Sequence, residues 1–237
     1  NLNIGCPSPK VKHANFGACL MANPDHVARC IEAMTKATDI PVTIKHRIGI
    51  DNLDSDDFLH KFVNKVHQAG AKRFAIHARK AWLNGLNPKQ NRTIPPLEYQ
   101  KVERLKNHFP HLKIELNGGL KTPKDCLNSL KVFDGAMVGR AAYSHPLLWQ
   151  HIDELVFGEA SQTIKASQII RKLIPYTEKH LNNNGKLWDI SKHLINIVQG
   201  VPGAKAWRHN LSSKAQKKKG SIKILEEASE QLENEGL

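Results

Sequence analysis

Five short β-rich runs, each followed by an amphipathic helical pattern, alternate through residues 1 to about 157, and few architectures accept that alternation. The runs lie near 1–4, 41–45, 73–77, 113–116 and 135–138. A helix between successive strands is the connection that parallel neighbours need, so the pattern argues for a parallel sheet and against an antiparallel sandwich or a helical bundle. Local signals agree with this. Asn23-Pro24-Asp25 offers an N-cap, a proline at the first helical position and an early acid, and Val27, Cys30, Ile31 and Met34 then recur at helical spacing. Ser55 caps a second helix whose Phe58, Leu59, Phe62, Val63 and Val66 form one face before Gly70. Between the third strand and the next helix, the polar stretch from Ala78 to Pro96 exceeds an ordinary βα loop, and such loops usually carry function. Beyond Gly158 strand signals stop, and helical patterns broken by Asn182-Asn183-Asn184-Gly185 and Val201-Pro202-Gly203 predict a small helical domain over 158–237.

In a βα barrel, chemistry sits where strands end. The residues following the five strands are Cys6, Lys45 with Arg47, His77 with Arg79, Asn117-Gly118-Gly119, and Gly139-Arg140. The last two sets have the form of a phosphate site made by the loops after strands seven and eight, where glycines let backbone N–H groups approach phosphate oxygens. Two ordinary glycine turns are the alternative. If they are strands seven and eight, the first visible strand is the fourth, and about 90 residues at ~30 per βα unit are expected upstream of Asn1. The fold class expected is therefore α/β: the last five units of a TIM (β/α)8 barrel over 1–157, then an all-helical domain. Cys6 is read either as a structural thiol or as a group reachable by substrate, while Cys19 and Cys30 read as core fillers. Lys45 and His77 are potential donors to an electron-rich ring.

The chain of 237 residues carries 35 Lys and Arg against 22 Asp and Glu, a net charge of +13 that favours a polyanionic partner, nucleic acid or an acidic membrane surface. The imbalance concentrates between 161 and 220, where twelve basic residues face only Glu178 and Asp189. Lys217-Lys218-Lys219 within it is open to two readings, a phosphate contact or a solvated run. Four cysteines without a CxxC pair or neighbouring histidines at ligand spacing argue against structural zinc or a disulfide framework. No apolar run approaches a membrane span, which predicts a soluble, cytoplasmic protein without metal, and nothing in the sequence indicates an oligomer.

Asn3-x-Gly5-Cys6-Pro7-Ser8, Phe16-Gly17-Ala18-Cys19-Leu20, the run from Val42 to Asp51, His77-Ala78-Arg79-Lys80-Ala81-Trp82-Leu83, Asn117-Gly118-Gly119 and Gly139-Arg140-Ala141-Ala142-Tyr143 together resemble the tRNA-dihydrouridine synthase family. The run from His77 to Leu83, Asn91-Arg92, and Gln199-Gly200-x-Pro202-Gly203-Ala204-x-Ala206-Trp207-Arg208 resemble its A subfamily. The resemblance covers nearly the whole chain and implies FMN, reduced by NADPH, as the source of a hydride for C6 of a uracil flipped out of tRNA. By this likeness Cys6 is the general acid for C5. Lys45 and His77 hold the flavin ring and ribityl region, and Asn117, Gly118, Gly119, Gly139 and Arg140 its phosphate. Asn3 lies beside the substrate base, and Arg79, Asn91, Arg92 and Arg208 face the tRNA. The A-subfamily likeness implies D-loop positions 20 and 20a, and the family's N-terminal third is expected to precede Asn1.

Two rival readings stay open at this point. One is an FMN barrel oxidising or reducing a free pyrimidine such as dihydroorotate, which also uses a strand-end cysteine. The other is an inactive fragment that only binds RNA, since an incomplete barrel does not seat FMN.

Overall fold

A computed structural model describes residues 1–217 and 220–237, so Lys218 and Lys219 of the basic run fall outside the described residues. The chain forms two compact units, Asn1–Val138 and Gly139–Leu237.

In the first unit, β1 (Leu2–Asn3), β2 (Thr43–Arg47), β3 (Arg73–His77), β4 (Lys113–Asn117) and β5 (Gly135–Met137) form one parallel sheet in sequence order. Strand β2 runs two residues beyond the expected end at 45. His46 and Arg47 look like loop residues, but they pair with Ile76 and His77 of β3 and are buried. Residues two apart share a face. The register therefore sets Asn3, Lys45, Ala75, Glu115 and Gly135 in one row, and Arg47, His77, Asn117 and Met137 in the next row toward the strand ends. The opposite face carries Ile44, Phe74 and Ile114, all fully buried, which explains the apolar half of each strand. Burying such a side chain contributes roughly 1.5–3 kcal/mol.

Helices follow the strands: α1 (Pro9–His13), α2 (Pro24–Lys36), α3 (Asp56–Gln68), α4 (Tyr99–His108) and α5 (Pro123–Ser129). Asn23 caps α2 by accepting from the His26 N–H, and Ser55 caps α3 by accepting from Phe58. The buried face of α2 is Val27, Ala28 and Ile31. Cys30, expected in the core, is half-buried beside it, as is Cys19, whose thiol contacts the Phe16 carbonyl.

His46 sits on the helix side of β2, against Phe62 and Phe74 with ring centroids 5.2 and 6.0 Å away. Its Nδ1–H donates to the Arg47 carbonyl at 2.7 Å. Burial lowers its pKa to about 4, with a smaller push from the Lys45 charge. The unfolded chain therefore binds a proton near pH 6.5 that the folded chain refuses until about pH 4. Stability supplied by neutral His46 is complete above the unfolded value and lost as pH falls across this window, by about 3 kcal/mol in total. Urea unfolding at pH 7.5 and pH 5 should show this slope in the wild type, and a smaller slope in His46→Leu. Equal slopes would contradict it.

The second unit holds α6 (Arg140–Ser144), α7 (Ile152–Phe157), α8 (Ala166–Asn182), α9 (Leu187–Leu194), α10 (Ala204–Ala215) and α11 (Lys223–Asn234), with no strand among its described residues. Trp207, Ile170, Leu187, Leu194, Leu211, Leu225 and Leu232 fill its core, and the Trp207 indole N–H donates to the Ala228 carbonyl at 3.0 Å. The unit begins at Gly139, ahead of the sequence-based boundary at 157–158. Leu147 packs on this core, the Gln199 amide reaches the Ser144 carbonyl, and Tyr143 meets His193 at 3.0 Å, so residues 143–147 associate with the helices that follow them. No described helix is long and apolar enough to cross a membrane, and no described group of three or more His, Cys, Asp or Glu is placed to hold a metal.

Candidate active site

The strand ends of the first unit bring together Asn3, Cys6, Lys45, His77, Asn117 and the glycine turn after it. Asn3 is exposed, and its side-chain oxygen accepts from the Gly5 N–H at 3.1 Å, which leaves its Nδ2 as the amide group available to a ligand. The Lys45 ammonium lies beside Gly5, 3.7 Å from where a Cβ on that glycine would stand. Burial lowers the Lys45 pKa, with a further push from Arg47, and no described carboxylate pairs with it. A desolvated cation of this kind is suited to an anionic or electron-rich ligand.

Cys6 is a half-buried free thiol in the loop between β1 and α1. Its carbonyl accepts from the Ala18 N–H at 2.8 Å, and Gly17, at φ +70°, packs so closely that a Cβ there would lie 2.4 Å from the same oxygen. The glycine of the Phe16-Gly17-Ala18 motif is thus required by the cysteine loop.

His77 closes β3 between Arg47 and Asn117 in register, and its Nδ1 accepts from the Arg79 N–H at 3.3 Å. The Asn117 amide donates to the Met137 carbonyl at 2.7 Å, tying β4 to β5. Gly118 and Gly119 follow with φ of +102° and +78°. Tyr99 donates its hydroxyl to the Gly118 carbonyl at 2.8 Å, and a Cβ on Gly119 would stand 2.4 Å from that hydroxyl and 2.6 Å from Leu97. Gly119→Ala should therefore lower unfolding free energy by about 1–3 kcal/mol from backbone strain and crowding. Adding Tyr99→Phe, which removes the crowding oxygen, should recover part of the loss in a thermal melt; an alanine variant as stable as wild type would refute the contact.

The long loop is ordered by its own polar groups. Asn91 is fully buried, its amide nitrogen donating to the carbonyls of Trp82 and Leu86 at 2.9 and 3.1 Å and its oxygen accepting from the Trp82 N–H at 2.8 Å. It thus lies beneath the loop surface and not on it. Arg92 beside it is exposed, and Arg79 is half-buried with its guanidinium on the Pro95 carbonyl. The two stretches after β2 and β3 are stitched together: Ala81 donates to Gly49 and Asp51 to Ala81, Leu83 N–H reaches the Asp51 carboxylate, and Lys80 bridges to Asp54 at 2.6 Å. In the second unit, Gly139 and Arg140 are exposed at its start, and Arg208 on α10 is half-buried with one N–H on the Val198 carbonyl at 3.4 Å.

Sequence reasoning named Arg47 among the strand-end residues but gave it no role. Its signal was the period-two spacing from Lys45, which puts both on the face directed away from the helices. Tyr99 left no such signal, because nothing local marks an exposed helical tyrosine as the support of a distant glycine turn.

A parallel sheet whose strand ends gather a thiol, cations, an imidazole and a double-glycine turn defines a βα enzyme. A family model described as dihydrouridine synthase matches residues 1–233. The chain belongs to the dihydrouridine synthase family. Among curated relatives, the tRNA-dihydrouridine(20/20a) synthase of Pasteurella multocida is 47% identical over 228 residues, 96% of this chain and 70% of that protein. That of Shewanella oneidensis is 45% identical over 235 residues, 99% of this chain and 70% of the relative, and that of Synechocystis is 50% identical over 212 residues, 90% and 64%.

Proposed function

We propose that this chain reduces uridine to 5,6-dihydrouridine in the tRNA D-loop at positions 20 and 20a, the positions in the names of its relatives, using FMN and NADPH in the cytoplasm. The single observation that supports this most is the convergence of Asn3, Cys6 and the uncompensated Lys45 at one set of strand ends. We read the five parallel strands as part of a closed (β/α)8 barrel and the helical second unit as the tRNA-binding domain.

The residues present fit a flavin. Lys45 and His77 are donors placed in adjacent rows, and Lys45 lacks a carboxylate that would compete with an electron-rich ring. The double-glycine turn, held from below by Tyr99, suits close approach of phosphate to backbone N–H groups. The same role for Gly139 and Arg140 rests on the family likeness. When bound, reduced FMN supplies the hydride that C6 of uracil accepts, and NADPH restores it. Cys6 supplies the proton for C5, completing addition of hydride and proton across the C5–C6 bond and leaving a thiolate. Asn3 orients the uracil through its free amide group, and Arg79 and Arg92 meet the RNA backbone, with Asn91 acting through the loop it holds. A basic second unit in the same chain favours tRNA over a free pyrimidine.

The test is spectroscopic. NADPH should bleach the flavin of the purified enzyme, and unmodified tRNA should restore its absorbance under anaerobic conditions; recovery with free uracil as readily as with tRNA would favour the small-molecule reading.

A further inference from the structure

We propose that Arg47 is a positioning residue that holds the Cys6 loop and the loop of Arg79 and Arg92 in fixed relation, so that the proton donor meets the base while those cations meet the RNA backbone beside it. This rests on the reading of Cys6 as general acid. Arg47 is only 3% exposed, and no described carboxylate pairs with it. Buried arginines ordinarily answer to a carboxylate, because an unpaired buried charge is costly. Here the donors go to backbone carbonyls from three segments. Nε donates to Gly5 at 2.9 Å, and Nη1 donates to Lys80 at 3.0 Å and Asn91 at 3.1 Å, with Arg79 at 3.5 Å.

The partners are informative. Gly5 immediately precedes Cys6, and the Cys6 carbonyl is itself held by Ala18, so the peptide groups on both sides of the catalytic thiol are fixed. Asn91 immediately precedes Arg92, and Lys80 follows Arg79, so the other arm ends at the residues proposed to meet RNA. Only a planar fork with several fixed N–H directions reaches all three segments; a lysine ammonium supplies charge without that geometry. The guanidinium also interacts favourably with an ionised Cys6, the form left after proton transfer. Burial lowers the Arg47 pKa to about 10, so it remains a cation at neutral pH.

Arg47→Lys and Arg47→Gln in the flavin-loaded enzyme test this. Misplacing a donor by about 1 Å costs on the order of 100-fold. Oxidation of reduced flavin at saturating tRNA should therefore slow by about that factor in both variants, with tRNA affinity retained and flavin reduction by NADPH, which needs no proton from Cys6, keeping its rate. Alkylation of Cys6 by iodoacetamide, followed by peptide mass spectrometry with Cys19 as internal reference, should change its rate and pH profile. Wild-type alkylation and a wild-type tRNA step in Arg47→Lys would overturn the proposal, as would loss of both half-reactions together with the fold, which would assign Arg47 to stability alone. If Cys6→Ala leaves the tRNA step intact while Arg47→Lys still alters Cys6 alkylation, the general-acid reading fails and the positioning of the loop stands.

Discussion

Cys6→Ala is expected to slow the oxidation of reduced flavin by tRNA by about 10²–10⁴-fold, the contribution typical of a general acid. That corresponds to roughly 3–5 kcal/mol of lost transition-state stabilisation. The argument is positional: Cys6 is a half-buried free thiol in a loop anchored on both sides by Arg47 and Ala18. Alanine removes the proton source and little else, so flavin binding, NADPH-dependent reduction and the melting temperature should persist. Single-turnover kinetics separate the steps. An undiminished tRNA step would return Cys6 to a structural role.

The affinity for tRNA should collapse with salt. The segment 161–220 carries twelve basic residues against two acidic ones, and each phosphate neutralised contributes a slope of about −0.7 to −0.9 in log K against log[salt]. If 6–10 phosphates are engaged, affinity falls by about 10³–10⁵ between 50 and 200 mM salt. Arg208 is a specific case. One N–H rests on the Val198 carbonyl, which orients the guanidinium at a half-buried site, and its neighbour Trp207 locks α10 into the core. Arg208→Ala should flatten the slope by about one unit if the residue holds one phosphate. Flavin reduction by NADPH should not change. Replacing Lys217, Lys218 and Lys219 together should do less if that run is solvated. Filter binding over a salt series reads both, and an affinity indifferent to salt would remove the helical unit from the interface.

Most of the parallel sheet was legible because β2, β3 and β4 each combine a buried apolar face with polar residues near the strand end, as Ile44, Lys45, His46 and Arg47 illustrate. The same stretch shows where legibility stopped. Polarity at His46 and Arg47 reads as loop, yet one is buried neutral between phenylalanines and the other directs Nε and Nη1 to distant carbonyls. Asn91 misleads in a similar way. The family resemblance turns it toward the tRNA, and here every polar atom of its amide is used to fold its own loop. The glycine turn was legible as a turn, but its dependence on Tyr99 was not, because a contact across 19 residues leaves no local pattern. The start of the second unit at Gly139 was hidden for a related reason: α6 follows the last strand in sequence, while Ser144 at its end and Leu147 just beyond make their contacts with later segments.

The most direct test of the central claim is mass spectrometry of nuclease-digested tRNA after incubation of unmodified transcript with the flavin-loaded enzyme and NADPH. The predicted result is the mass gain of one hydride and one proton on a D-loop uridine, at position 20 or 20a, with free uracil and free uridine unchanged under the same conditions. Unaltered tRNA alongside steady NADPH oxidation, or equal reduction of the free base, would contradict it.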